Sequence, residues 1–208
     1  MKLYRTIKGD AVSEQVIDRS RFICHMTTVN TKEEADSYIA SIRQKYKDAT
    51  HNVPAFIVGN KMEMKWQSDD SEPQGTAGAP MLEVLSREGI TNVVAVVTRY
   101  FGGIKLGTGG LVRAYQSSVK LALQNSVICD ATEVVEISVR VDYNTYQKIE
   151  KLKSDIFEIT DREFTDTVLL RLTALIENKA ELLSFITNMS NGKAIVENTE
   201  EKIFLKNI

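Results

Sequence analysis

The sequence predicts an α+β protein of two domains, and three observations carry that prediction. A continuous β-branched run, Asn92–Thr98 (NVVAVVT), leads directly into a glycine-rich turn and an amphipathic helix. The last third changes rhythm, to short alternating strands separated by two helices. Charge shifts at the same place: residues 1–131 hold 16 basic and 14 acidic side chains, a balance of +2, whereas 132–208 hold 10 and 14, a balance of −4. Domains of 1–131 and 132–208 follow, with the boundary near Asp130–Glu133.

In order along the chain, residues 4–29 alternate in the manner of two strands. Thr31–Lys47 then places Ala35, Tyr38, Ile39, Ile42 and Tyr46 on one helical face, with Thr31 and Glu34 forming a capping box. Val53–Gly59 and Met62–Trp66 read as a hairpin turned at Gly59 and Asn60, followed by the polar loop SDDSEPQGTAGAP. A short helix is expected over Pro80–Arg87, opened by Pro80 and closed by Gly89. Asn92–Thr98 lacks polar alternation, as a strand buried on both faces does. A helix over Leu111–Asn125 comes next, its apolar face formed by Leu111, Tyr115, Val119, Ala122 and Leu123.

The second domain reads as strand Val134–Val141, helix Asn144–Lys153, strands Ile156–Glu163 and Val168–Ile176, helix Lys179–Met189 and strand Ala194–Glu197. This β-α-β-β-α-β order is that of a ferredoxin-like unit, with Asp142, and Asn178 with Glu181, as helix caps.

A net charge of −2 over 208 residues excludes general electrostatic attraction to nucleic acid or anionic lipid, so such a partner needs a local patch. Cys24 and Cys129 sit singly in apolar runs, which points to buried thiols rather than a metal site or a disulfide framework. No apolar run approaches the roughly 18 residues of a membrane span, and MKLYRTIKGD has no signal-peptide core. A cytoplasmic protein without membrane contact is expected. Nothing in the composition fixes an oligomeric state.

The chemistry concentrates in RYFGGIKLGTGGLVR, Arg99–Arg113. Between Glu88 and Asp130 there is no carboxylate, yet Arg99, Lys105, Arg113 and Lys120 lie there with Gly102, Gly103, Gly107, Gly109 and Gly110. Glycines permit close backbone approach, and a helix starting after Gly110 aims its unpaired N–H groups and dipole at the turn. The expected anion or nucleic-acid site therefore comprises Arg99, Tyr100, Phe101, Gly102, Gly103, Lys105, Gly107, Thr108, Gly109, Gly110 and Arg113. The competing reading is architectural: a tight strand-to-helix connection whose arginines pair with carboxylates elsewhere. The segment lacks the GK[ST] of a P-loop, and Val112 stands where a dinucleotide fingerprint starting at Gly107 needs glycine.

Upstream, Asp69, Asp70, Glu72 and Thr76 form a polar loop able to fold over a neighbouring site. Its carboxylates suit a magnesium–phosphate complex or the neutralisation of Arg99 and Arg113, or simply the turns of an exposed loop. His51, between helix and strand, is placed for acid, base or phosphate-binding work, whereas His25 within a strand reads as structural. Tyr100 and Phe101 could stack on a base or form part of the strand's rim. No GxSxG, HExxH or paired-carboxylate arrangement occurs, no cofactor or metal is implied, and catalysis is left open with the balance toward binding.

GITNVVAVVTRYFGGIKLGTGGLVRAY, preceded by SDDSEPQGTAGAP and DATHN, resembles the IMPACT family, including its bacterial YigZ-like members. The resemblance implies a first domain similar to domain IV of elongation factor G and a ferredoxin-like second domain similar to its domain V. It points to RNA, ribosomes or translation factors as partners. In eukaryotes the family is associated with regulating translation under amino-acid stress, through a partner-binding N-terminal domain expected to be missing here. After His51 this chain has Asn52, Val53 and Pro54, where family members often carry aromatic or paired-histidine character. The leading expectation is a non-enzymatic translation-linked regulatory protein. The alternative is a nucleotide- or phosphate-dependent enzyme using the same turn with a magnesium-binding acidic loop, and a third reading is an adaptor whose glycines serve only architecture.

Overall fold

The computed structural model describes residues 2–152 and 155–208. They form two compact units: Tyr4–Asp130 with Leu205–Ile208, and Ala131–Phe204 with the opening residues up to Leu3. The last four residues thus group with the first unit rather than with 132–208.

In the first unit, strands β2 (Ala11–Ile17), β3 (Ser20–Thr28), β4 (His51–Val58), β5 (Met64–Gln67) and β6 (Val93–Tyr100) build an antiparallel sheet in the order β2-β3-β6-β4-β5. Strand β1 (Lys2–Lys8) belongs to the other sheet. The opening stretch therefore holds three strands where alternation suggested two. Its breaks are Gly9 at φ +73° and the pair Asp18 and Arg19 at φ +44° and +65°. A left-handed turn made without glycine leaves no mark in the residue pattern.

The middle strand explains its own composition. Val93, Ala95 and Val97 of β6 join the cluster that includes Met81 and Leu85 of α2 (Gly78–Arg87) and Tyr115 and Val119 of α3 (Gly107–Gln124). Val94 and Val96 join Ala35, Ile39 and Ile42 of α1 (Lys32–Lys45). Helices cover both faces, so β6 has no polar side although its neighbours are antiparallel. The Thr31 hydroxyl accepts the Glu34 N–H at 3.2 Å, while the Glu34 carboxylate accepts the N–H of Asn30, one residue before the expected reciprocal partner. Helix α2 begins at Gly78, ahead of Pro80, and ends as expected. Gly89 at φ +68° lets its N–H reach the Ser86 carbonyl and that of Ile90 the Leu85 carbonyl.

The second unit follows β7 (Val127–Val141), α4 (Tyr143–Lys151), β8 (Phe157–Phe164), β9 (Val168–Leu175), α5 (Lys179–Met189) and β10 (Ile195–Asn207). Its sheet runs β10-β7-β9-β8, and β1 also pairs with β7. Val135, Ile137 and Val139 pack with Leu170 and Leu172, beneath Ile149 of α4 and Leu182 and Ile186 of α5. Asp142 caps α4, accepting the Thr145 N–H at 2.7 Å, a bond that holds its carboxyl below the usual range. Lys153, the expected end of that helix, lies outside the described residues. Asn178 makes no side-chain cap; a 3₁₀ turn, Ile176–Asn178, leads into α5 instead. Strand β10 runs ten residues past its expected end at Glu197, because it is exposed along almost its whole length and so carries no alternation to read.

Both thiols are buried and unpaired, and burial drives that of Cys24 far above the ordinary range. His25 is buried with Nε2 unpartnered, its ring tilted against that of Tyr46 at 4.9 Å, and burial lowers its pKa to about 4. Among the described residues no helix is long and apolar enough to cross a membrane.

Candidate functional site

The expected site divides into an inner and an outer half. The inner half centres on Glu72, which the loop between β5 and α2 delivers into the core. Glu72 Oε1 accepts Arg99 Nη1 at 2.6 Å and the Tyr115 hydroxyl at 2.7 Å, and His51 Nε2 lies 3.7 Å away. Only 5% of Arg99 and 8% of Glu72 remain exposed, so each charge depends on the other. Burial, reinforced by the Glu72 carboxylate, raises the Tyr115 pKa far above its ordinary value and fixes the hydroxyl as a donor. His51 Nδ1 lies 2.7 Å from the Asp70 carbonyl, which can only accept, so Nδ1 carries the proton.

This arrangement corrects two expectations. Arg99 does not offer its charge to an outside anion: it is turned inward onto Glu72, with Ser20 Oγ 3.4 Å from Nη2 and the rings of Phe22 and Phe101 at 5.3 and 5.5 Å. Nor do the carboxylates of the acidic loop converge on one point. Asp69 accepts the N–H groups of Gly75 (2.7 Å), Ala77 (3.2 Å) and Gly78 (2.9 Å), and Asp70 those of Asn52 and of the Arg43 guanidinium. Thr76 Oγ1 donates to the Pro73 carbonyl. The three carboxylates face three different sets of donors. Among the described residues no group of three His, Cys, Asp or Glu side chains is placed to hold a metal ion.

Exposed residues make up most of the outer half. Helix α3 starts at Gly107, not after Gly110, so three expected turn glycines belong to its first turn. Of the five glycines in this segment, Gly103 (φ +84°) and Gly107 (φ +70°) use the left-handed region. Gly102 serves close approach instead: a Cβ there would overlap the Arg19 carbonyl and the Ser20 nitrogen, and its N–H donates to Ser20 Oγ at 3.2 Å. Gly109 and Gly110 are helical glycines, costly by about 1 kcal/mol each relative to alanine. The first turn of α3 contains no acidic residue, and no side chain caps it. Arg113 Nη1 lies 3.5 Å from where a Gly109 Cβ would stand, so the guanidinium folds back along the helix start. Lys105, Thr108 and Arg113 are exposed, and neither cation has an ion pair among the described residues.

Tyr100 is held at the rim, its hydroxyl donating to Asp48 at 3.1 Å with the Arg21 guanidinium over its ring. Phe101, next to it, is 46% exposed. Residue patterns missed Tyr115 as a partner of Glu72, because a tyrosine on the apolar face of a helix looks like core. They also missed Arg19, exposed in the turn against Gly102.

Fold and site together define a two-unit α+β protein whose first unit presents an uncapped, cationic, glycine-rich helix start. A family model described as the Impact N-terminal domain matches residues 18–123. IMPACT family member YvyE of Bacillus subtilis (strain 168) is 38% identical over 199 residues, 95% of this chain and 91% of that one. IMPACT family member YigZ of Escherichia coli (strain K12) is 35% identical over 179 residues, 85% and 88% of the respective chains. A crystal structure described as that of a hypothetical protein aligns with a TM-score of 0.63 at 32% identity, over 94% of this chain and 97% of that one. The chain belongs to the IMPACT family.

Proposed function

We propose that this chain is a non-enzymatic, cytoplasmic binding protein acting in translation or its regulation, and that it engages RNA phosphates, alone or on the ribosome, through the start of α3. The observation that carries this reading is the uncapped first turn of α3 with Lys105 and Arg113 beside it, in a stretch without a carboxylate from residue 89 to 129. Family membership supports it through the translation link that the resemblance implies. The β-α-β-β-α-β order and the strand order β10-β7-β9-β8 support a ferredoxin-like second domain similar to domain V of elongation factor G. A first domain similar to domain IV is part of the same reading.

The test is association with purified ribosomes and with single- and double-stranded RNA across a salt series. Affinity is expected to fall steeply with salt. Lys105→Glu with Arg113→Glu should abolish binding in a protein whose thermal unfolding is unchanged, since both side chains are exposed. Salt-independent association, or none at low salt, would overturn the reading.

A further inference from the structure

We infer that Phe101 is a stacking platform for an unpaired base, so that the nucleic acid this surface takes is single-stranded. The inference rests on the reading above and specifies its ligand. Phe101 follows directly on the last residue of the central strand, with 46% of its surface exposed. It is nevertheless firmly held. Its N–H donates to Thr50 Oγ1 at 3.0 Å, and the Arg99 guanidinium lies over its ring at 5.5 Å. That guanidinium is in turn packed at 5.3 Å from Phe22 and tied to Glu72. One face of Phe101 is thereby occupied by a buried, neutralised cation and the ring is presented outward.

This gives the buried ion pair a task that an anion site does not. Arg99 is a positioning residue, shut off from solvent, that sets the orientation of the ring.

The charge around the ring suits a backbone carrying one phosphate per base. On one side Gly102 packs against the backbone of Arg19 and Ser20, so the turn that bears the exposed Arg19 borders residue 102. On the other, the link through Lys105 runs directly to the α3 start and Arg113. Aromatic rings that stack on bases, flanked by cations that follow the phosphates, are how single strands are bound without sequence readout. A duplex keeps its bases stacked on one another and offers the ring nothing.

The experiment uses the full chain and fluorescence anisotropy with oligouridylate, an abasic ribose-phosphate oligomer of equal length, and a duplex of matched phosphate count. Wild type should prefer oligouridylate. Phe101→Ala should lose roughly tenfold for oligouridylate and little for the abasic oligomer, while Phe101→Trp retains binding. Tryptophan at 101 should also be quenched by oligouridylate, beyond the response of wild type with Trp66 alone. Phe101→Ala binding oligouridylate as wild type does, or wild type binding duplex and single strand equally with steep salt dependence, would overturn the stacking inference and leave the proposed function standing. Absence of association with any of the three, and with purified ribosomes, at low salt would overturn both.

Discussion

Two helices of the first unit have nearly the same residues at their starts, GTAG at Gly75–Gly78 leading into α2 and GTGG at Gly107–Gly110 opening α3, and the protein finishes them in opposite ways. At α2 the cradle of backbone N–H groups is filled from within, because Asp69 accepts from Gly75, Ala77 and Gly78. At α3 no side chain among the described residues caps it, and the charged group found against it is Arg113, of the wrong sign to cap a helix start. A glycine-rich helix start is therefore not by itself an anion site. What distinguishes the two is one aspartate six residues ahead of the first glycine, which converts an anion cradle into architecture.

The largest expected effect comes from breaking what anchors the capped side. Glu72→Ala leaves the Arg99 guanidinium buried without a counter-charge and should cost about 3–5 kcal/mol of stability in urea unfolding. Asp69→Ala removes the acceptor for three N–H groups and should cost about 2 kcal/mol, with Asp69→Asn milder. Neither change touches the α3 start. Gly109→Ala runs the other way: a Cβ there meets only ordinary contact with Arg113, so the helix should gain up to about 1 kcal/mol while RNA affinity falls as the backbone is covered. Thr108→Asp would give α3 the charge that α2 already has. We expect a gain of about 0.5 kcal/mol in stability and a marked loss of RNA binding; unchanged binding would mean the open start is not the contact point.

One background effect sets the pH for these comparisons. His25 is buried neutral with its pKa lowered to about 4, below the ordinary 6.5, so the unfolded chain binds the extra proton between those values. Stability should be complete above 6.5 and should fall as pH drops toward 4, and His25→Gln should flatten that limb of a melting-temperature profile. Neutral buffer keeps it out of the measurements.

Much of this was legible in the residues. Helix α1 announced its cap at Thr31, and β6 announced double-sided burial through an unbroken β-branched run. The site was legible in position and less so in logic. Neutralisation of Arg99 by the acidic loop was one of the readings its carboxylates allowed, and Glu72, 27 residues upstream, does this; the sequence does not say which carboxylate, or that the pair is buried. The start of α3 was misplaced because glycine disfavours helix interiors, and in the fold three glycines occupy that first turn regardless. Turns at positive φ without glycine, as at Asp18–Arg19, and the solvated strand β10 carry no periodic signal at all.

The grouping of the chain ends has a practical side. A cut after Asp130 would release neither unit whole: the first would forfeit Leu205–Ile208, with the Cys129 thiol to Asn207 contact and the Ile208 N–H bond to the Ile128 carbonyl. The second would forfeit the residues that precede Tyr4. Dissection into halves should thus give poorly behaved fragments, because each unit relies on a short segment from the far end of the sequence.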